Sequence, residues 1–426
     1  MQERFKHERG KEPPGGRPAW MAVALAVLNL GSAAAAPAQD KPVKLGEEEP
    51  QEVEELTGES ALPLQVTGFA VGNYNYDGRT KDNSVEASKL AVSLFREMSP
   101  SVWFFGQLTT ALAEPDAAAS TADGAAAHGS LLRRSFGPRA FASSSNSGDG
   151  GGEEVATEIE IDNLIINFTP PGASQFSFSL GKFDDPLGFE RDDEPLNLQA
   201  STSFTFELGR PIKLIGLVGR WNVTPSLDVT AMVTNGWESQ IDPNHGKSVG
   251  GRVGLRPTEN TSLGVGGMFG PEGAQGETRN RYVLTADYSW QPTPDWIFGG
   301  EASYGGDHNA AEDGTDANWV GGTLTVFRRF VERFGLTARA EVFDDRDGAR
   351  TGERQTLESF TLAPVYFVGT GTEGIFANIE HTTFRIPRFQ VRGEVRMNHS
   401  NIDFFETSGE PDDWNVEYRL QLVTTF

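Results

Sequence analysis

Asn415-Val416-Glu417-Tyr418-Arg419-Leu420-Gln421-Leu422-Val423-Thr424-Thr425-Phe426 ends the chain. Val416, Tyr418, Leu420, Leu422, Thr424 and Phe426 fall on one side of this stretch. Asn415, Glu417, Arg419, Gln421 and Thr425 fall on the other. A period of two marks a strand with one apolar and one polar face. A slip of one residue would turn every apolar side chain the wrong way, so the pattern also fixes the register.

The same alternation recurs upstream. In Leu64–Tyr76, Leu64, Val66, Gly68, Ala70, Gly72, Tyr74 and Tyr76 share a face opposite Gln65, Thr67, Phe69, Val71, Asn73 and Asn75. Leu227, Val229, Ala231 and Val233 alternate with Asp228, Thr230 and Met232. Tyr282, Leu284, Ala286, Tyr288 and Trp290 form another such face. Phe389, Val391, Val395 and Met397 oppose Gln390, Arg392, Glu394 and Arg396. Asp162–Phe168 and Ile212–Trp221 depart from this, with apolar residues on both faces. Interior packing and contact with an inserted loop are both consistent with that.

Only 37% of the 426 residues are hydrophobic, and the body has no run of 18 apolar residues. Spanning helices are therefore not expected in the mature chain. A transmembrane β-barrel has this composition, because only alternate residues face lipid. The expected fold is all-β, an antiparallel up-and-down transmembrane barrel. Short turns are read at Met98–Ser101, Pro170–Ser174, Thr224–Ser226, Arg256–Thr261, Gln291–Asp295, Val331–Phe334 and Ile386–Arg388, with longer Gly- and Asp-rich loops between them. Proline suits most of these turns because it cannot donate to a strand ladder. Seven short turns, with both chain ends on their side, predict about 16 strands. Gln355–Val368 and Gly374–Arg385 both read as extended, so 18 is the alternative; on the 16-strand reading the first belongs to a long seventh external loop. Trp103, Trp221, Trp290, Trp296, Phe330 and Phe334 gather near the short turns, as an interfacial aromatic girdle requires.

The N-terminus reads as an export signal over residues 1–38. Arg4, Lys6, Arg9, Lys11 and Arg17 precede an apolar run from Trp20 to Leu30, and Ala36-Pro37-Ala38 offers a small-residue cleavage site. Either Met1 or Met21 could be the start. Residues 39–62 are acidic and carry no β-pattern, which predicts a disordered periplasmic tether. The barrel is expected over 63–426. There is no cysteine, so disulfides and thiolate metal sites are excluded. The net charge is −24; removing five basic and three acidic residues with the signal leaves −26. That sign disfavours nucleic acid as a partner, and an acidic lumen would favour cations.

The terminal strand, with Tyr418, Leu420, Leu422 and the final Phe426, resembles the signal by which the barrel assembly machinery recognises bacterial outer-membrane barrels. Gly181-Lys182-Phe183-Asp184-Asp185-Pro186-Leu187-Gly188-Phe189-Glu190 is similar to the strand-to-loop passage of the OmpL-like β-barrel porin family. Gly209-Arg210-Pro211 and Asn235-Gly236-Trp237 fall where that family has its loop return and strand end. The resemblance implies a bacterial outer-membrane location among lipid, passive channels for small hydrophilic solutes, and a homotrimer.

In porins the third external loop folds into the barrel, so the resemblance makes Asp184–Pro211 the expected constriction. It carries Asp184, Asp185, Glu190, Arg191, Asp192, Asp193, Glu194, Glu207 and Arg210. Arg252, Arg339, Arg392, Arg396 and Arg419 fall on inferred lumen faces. Acidic loop against arginine wall would set a transverse field, which orients polar solutes and disfavours apolar ones that displace ordered water. The second external loop, Pro115–Glu153, departs from the family in being rich in Ala, Ser and Gly; its basic-aromatic island Leu131–Phe141 could rest on the rim, plug the pore or latch a neighbouring subunit.

The histidines and serines fall into no enzyme motif. No His pair has zinc spacing, no G-x-S-x-G occurs, and Gly246-Lys247-Ser248 lacks the upstream glycine of a phosphate loop. Asp344, Asp345 and Asp347 lack the twelve-residue calcium spacing. His381 is the one histidine placed on a strand, where an outer-membrane lipase would need it. The expectation is a cofactor-free and metal-free water-filled pore for passive diffusion of small hydrophilic solutes and ions. The alternatives are a substrate-specific channel for a sugar or anion, and a structural or adhesin-like barrel with a blocked lumen.

Overall fold

A computed structural model describes residues 64–113, 156–239, 244–272, 279–311, 314–372, 386–405 and 411–426. Among these, the strands are β1 (Gln65–Asp77), β2 (Asn83–Ser99), β3 (Val102–Ala113), β4 (Ala156–Phe168), β5 (Phe176–Asp184), β6 (Lys213–Thr224), β7 (Leu227–Thr234) and β8 (Ser248–Thr258). They continue as β9 (Thr261–Pro271), β10 (Asn280–Thr293), β11 (Trp296–Asp307), β12 (Ala317–Val331), β13 (Phe334–Asp345), β14 (Gln355–Thr372), β15 (Ile386–Ser400) and β16 (Trp414–Thr425). Each pairs antiparallel with its neighbours in sequence, and β16 returns to β1, so the sheet closes with sixteen strands among the described residues. Closure leaves no unpaired edge.

The seam between β1 and β16 follows the alternation of Asn415–Phe426. Tyr76 lies opposite Tyr418 and Phe69 opposite Thr425. The Phe426 and Gly68 backbones exchange two hydrogen bonds, at 2.9 and 3.0 Å. Glycine is required at position 68, since an added Cβ would overlap the Ala91 carbonyl and the Phe426 ring. Tyr418, Leu420, Leu422 and Phe426 point outward and exposed, whereas Gln421, Val423 and Thr425 are buried inside. The Arg392, Glu394 and Arg396 face of β15 is likewise interior.

Six short connections fall at their predicted turns. The seventh reading is corrected: Ile386–Arg388 opens β15, and Gly371 lies opposite Pro387 in the β14 ladder. Pro387 is tolerated at a strand's start because few ladder bonds there need its missing N–H. Gln355–Val368 is correspondingly strand β14, not external loop. The total of sixteen survives because the connection moved and was not lost.

Aromatic side chains ring both ends of the barrel wall. At the short-turn end Phe176 stacks on Trp221, Trp296 on Phe298, and Phe330 meets Phe334. At the opposite end Tyr76 meets Tyr418, and Tyr282 meets Tyr304. Amphipathic rings at both edges of an apolar band suit two membrane–water interfaces. The signal segment, the tether, the 115–153 loop, residues 374–385 and His381 lie outside the described residues.

Candidate functional site: the loop inside the barrel

The segment joining β5 to β6 does not stand outside. Leu187, Phe204, Phe206 and Leu208 are buried, as are Asp185, Glu190, Asp192, Asp193 and Arg210. It contains a 3-10 turn at Glu194–Leu196 and one helical turn, α1 (Phe204–Gly209). Its apolar residues explain the two-faced strands. Leu187, Phe204 and Leu208 share a core with inward-facing Phe105, Ile165, Leu214, Met232, Met268, Trp319 and Phe343. Burying each such side chain contributes about 1.5–3 kcal/mol, so the loop has an apolar footing on the wall.

A buried segment with little regular structure must find partners for its backbone. Here charged wall side chains supply them. Glu301 on β11 accepts from the N–H groups of Phe189 and Glu190. Glu394 on β15 accepts from Ala200 and Ser201 at 2.9 and 3.1 Å. Glu341 on β13 accepts from Phe204 N–H at 2.6 Å, at the start of α1, where Ser203 caps Phe206. Loop carbonyls are met by arginines. Arg339 donates to Ser201 O at 2.8 Å and Thr202 O at 3.1 Å. Arg392 donates to the carbonyls of Glu194, Asn197 and Gln199 at 2.9–3.0 Å. Arg396 reaches Thr202 O, and Arg419 reaches Ala200 O.

Ion pairs complete the seat. Arg210 lies 3.2 Å from Glu301 and 3.4 Å from Asp185. Arg339 pairs with Glu190 at 2.8 Å and Glu341 at 3.3 Å, and Arg396 with Glu341 at 3.0 Å. From β2, Lys89 lies 3.5 Å from Glu194 and 3.8 Å from both Asp192 and Asp193. Lys213 meets Asp184, Asp162 and Asp192. Gly188 makes the bend that starts this path; its φ of +76° is open chiefly to glycine, and a Cβ there would strike Arg210 and Glu301.

Burial pushes the Asp185 carboxyl up to about 7, against the pull of Arg210. Burial also raises Asp193, opposed by Lys89. Arg350, in the β13–β14 loop, is lowered to about 10 by burial and by Arg281; its Nε donates to Leu208 O at 2.6 Å.

The structure thus gathers most of the residues read from sequence, in a different relation. Arg339, Arg392, Arg396 and Arg419 touch the loop itself. Arg252 instead pairs with Asp287 on β10 at 2.7 Å, and Glu207 bonds Thr202 within the loop. Three wall carboxylates, Glu301, Glu341 and Glu394, stand among the arginines. They and the two lysines stand outside the candidate set that the sequence offers. Glu394 shares the inward period of Arg392 and Arg396, which was the signal available.

Residues 64–426 match the family described as "Putative beta-barrel porin-2, OmpL-like". The chain belongs to this porin family. Solved outer-membrane channels share the porin's architecture. The anion-selective porin from Comamonas acidovorans aligns with a TM-score of 0.55 at 10% identity, over 85% of this chain and 99% of that one. OmpT of Vibrio cholerae gives 0.54 at 11%, over 88% and 100%. The outer-membrane channel DcaP of Acinetobacter baumannii gives 0.52 at 8%, over 85% and 97%. At these identities the likeness is one of fold. No curated protein matches the chain. Family and fold together make the porin a passive outer-membrane channel.

Proposed function

We propose that small hydrophilic solutes and ions diffuse through this porin past a constriction formed by the β5–β6 loop. The observation that carries the reading is the bonding of the loop backbone to wall charges on β11, β13, β15 and β16, which fixes its place in the lumen. An obstacle held this way narrows the path to a fixed bore, and a fixed bore sorts solutes by size and charge. Export by the N-terminal signal and assembly through the Phe426 strand belong to the same reading. A homotrimer does too, in keeping with the trimer form in which OmpT of Vibrio cholerae is described.

Conductance of the purified porin in planar bilayers tests it. A steady open conductance is expected in KCl. Asp192→Asn with Asp193→Asn leaves Lys89 and Lys213 with fewer counter-charges, so the reversal potential in a salt gradient should move toward anions. No conductance would overturn the channel, and an unmoved reversal potential would take the loop out of the constriction.

A further inference from the structure

One cation in the loop differs from the rest. Arg191 is half-buried, and its guanidinium has no hydrogen-bond or ion-pair partner among the described residues; only its backbone is engaged, with Asn197. Arg210, Arg252, Arg339, Arg392, Arg396 and Arg419 all have named partners. Arg191 borders a cavity of about 90 Å³ between the loop and the inward faces of β8, β9, β10 and β12. Arg252, Asn197, Ser262, Ser289 and Thr325 line it as well. The Thr325 hydroxyl is buried, in a residue only 1% exposed, and has no hydrogen-bond partner among the described residues.

We propose that this cavity is a subsite for a compact oxyanion, a phosphate or carboxylate group, with Arg191 as its anchor and the Thr325 hydroxyl as a second donor. The inference rests on the lumen being the solute path. A planar guanidinium presents paired donors that match two oxygens of such a group. Leaving that charge half out of water without a partner is costly, and an entering oxyanion relieves the cost. Asp287 and Glu301 attract Arg191 through space, but among the described residues no acid at the cavity makes a direct ion pair with it. Asp287 is taken by Arg252 at 2.7 Å, and Glu190 by Arg339 at 2.8 Å. The volume admits the head of a small anion and little more. The charges lining it balance, Arg191 and Arg252 against Glu190 and Asp287, so the site selects by contact with Arg191 and not by a distant field.

Two measurements test this separately from the pore. In bilayers, inorganic phosphate and succinate are each titrated against the chloride-carried current of the wild-type porin and of Arg191→Gln and Arg191→Lys. At least one anion should reduce the current saturably. Arg191→Gln should raise the half-blocking concentration at least about tenfold, as loss of a charged hydrogen-bond donor implies, and Arg191→Lys should fall between. Since the side chain bonds nothing, both variants should fold as the wild type does. Block by phosphate alone or succinate alone assigns the group. In detergent, line broadening of ³¹P phosphate and of ¹³C-labelled succinate reads binding without any current. A conducting wild type with neither block nor broadening overturns the subsite and leaves the channel standing. A silent wild type overturns the channel, and broadening lost in Arg191→Gln would still support the subsite. Equal block or broadening in wild type and Arg191→Gln removes Arg191 as the anchor and overturns the proposal.

Discussion

Arg339 on β13 places its Nη1 2.8 Å from Glu190 Oε1 in the loop, although the two residues are 149 positions apart in the chain. Both side chains are almost wholly removed from water. The same arginine donates to two loop carbonyls, so it is a bolt between wall and loop.

Replacing it should free the loop. Arg339→Met leaves the Glu190 charge buried without its counter-ion, a loss of about 3–5 kcal/mol for a broken buried pair. That loss falls on the loop's seat and leaves the strand ladder intact. Single-channel conductance should rise and become noisier, while the unheated protein still migrates as a folded barrel. Conductance identical to wild type would show that the remaining bonds hold the loop alone.

The apolar footing makes a second, independent test. Phe204 is fully buried among wall side chains, so Phe204→Ala should destabilise the seated loop by about 3–5 kcal/mol. Limited proteolysis from the long-loop side should then cut within 185–212 faster than in wild type. Equal cutting rates would place the loop's stability in its polar bonds alone.

Asp185 ties stability to pH. Its folded value of about 7 stands above the ordinary 3.8 because of burial. Between these values the folded chain holds a proton that the unfolded chain has released. Stability from neutral Asp185 is therefore full below about pH 4, declines as pH rises to about 7, and is level above that. Guanidinium midpoints in detergent should show this decline, and Asp185→Asn should flatten it. An unaltered slope in the variant would assign the effect to another group.

The barrel seam should be sensitive at one small residue. Gly68→Val puts side-chain atoms into the Ala91 carbonyl and the Phe426 ring. Refolding should yield much less of the compact, heat-modifiable species than wild type. A normal yield would mean that the β1–β16 seam shifts to make room.

Much of the wall was legible because lipid and lumen impose a strict period of two. Tyr418 to Phe426 fixed the outer face of β16, and Gln390 to Arg396 the inner face of β15. Where the period failed, the cause was the loop: Ile165 and Leu214 face inward yet meet Leu187 and Phe204, not water. The seventh turn differs because Pro387, a turn signal by residue type, stands instead in the β14–β15 ladder opposite Gly371. The loop's acids were visible as charges, but their partners were not. Glu301 and Glu341 lie 111 and 137 residues from the backbone groups they accept from, and no local pattern reports such a distance.

That distance has a consequence in time. Every charged wall group that bonds the loop backbone on β11, β13, β15 and β16 comes later in the chain than the loop, up to 219 residues later for Arg419 and Ala200. The loop cannot settle until those strands have joined the sheet, and contacts so far apart in sequence form slowly. Seating of the loop thus follows the joining of β16 to the sheet. Until it occurs, the newly closed cylinder is a wider hole than the finished one.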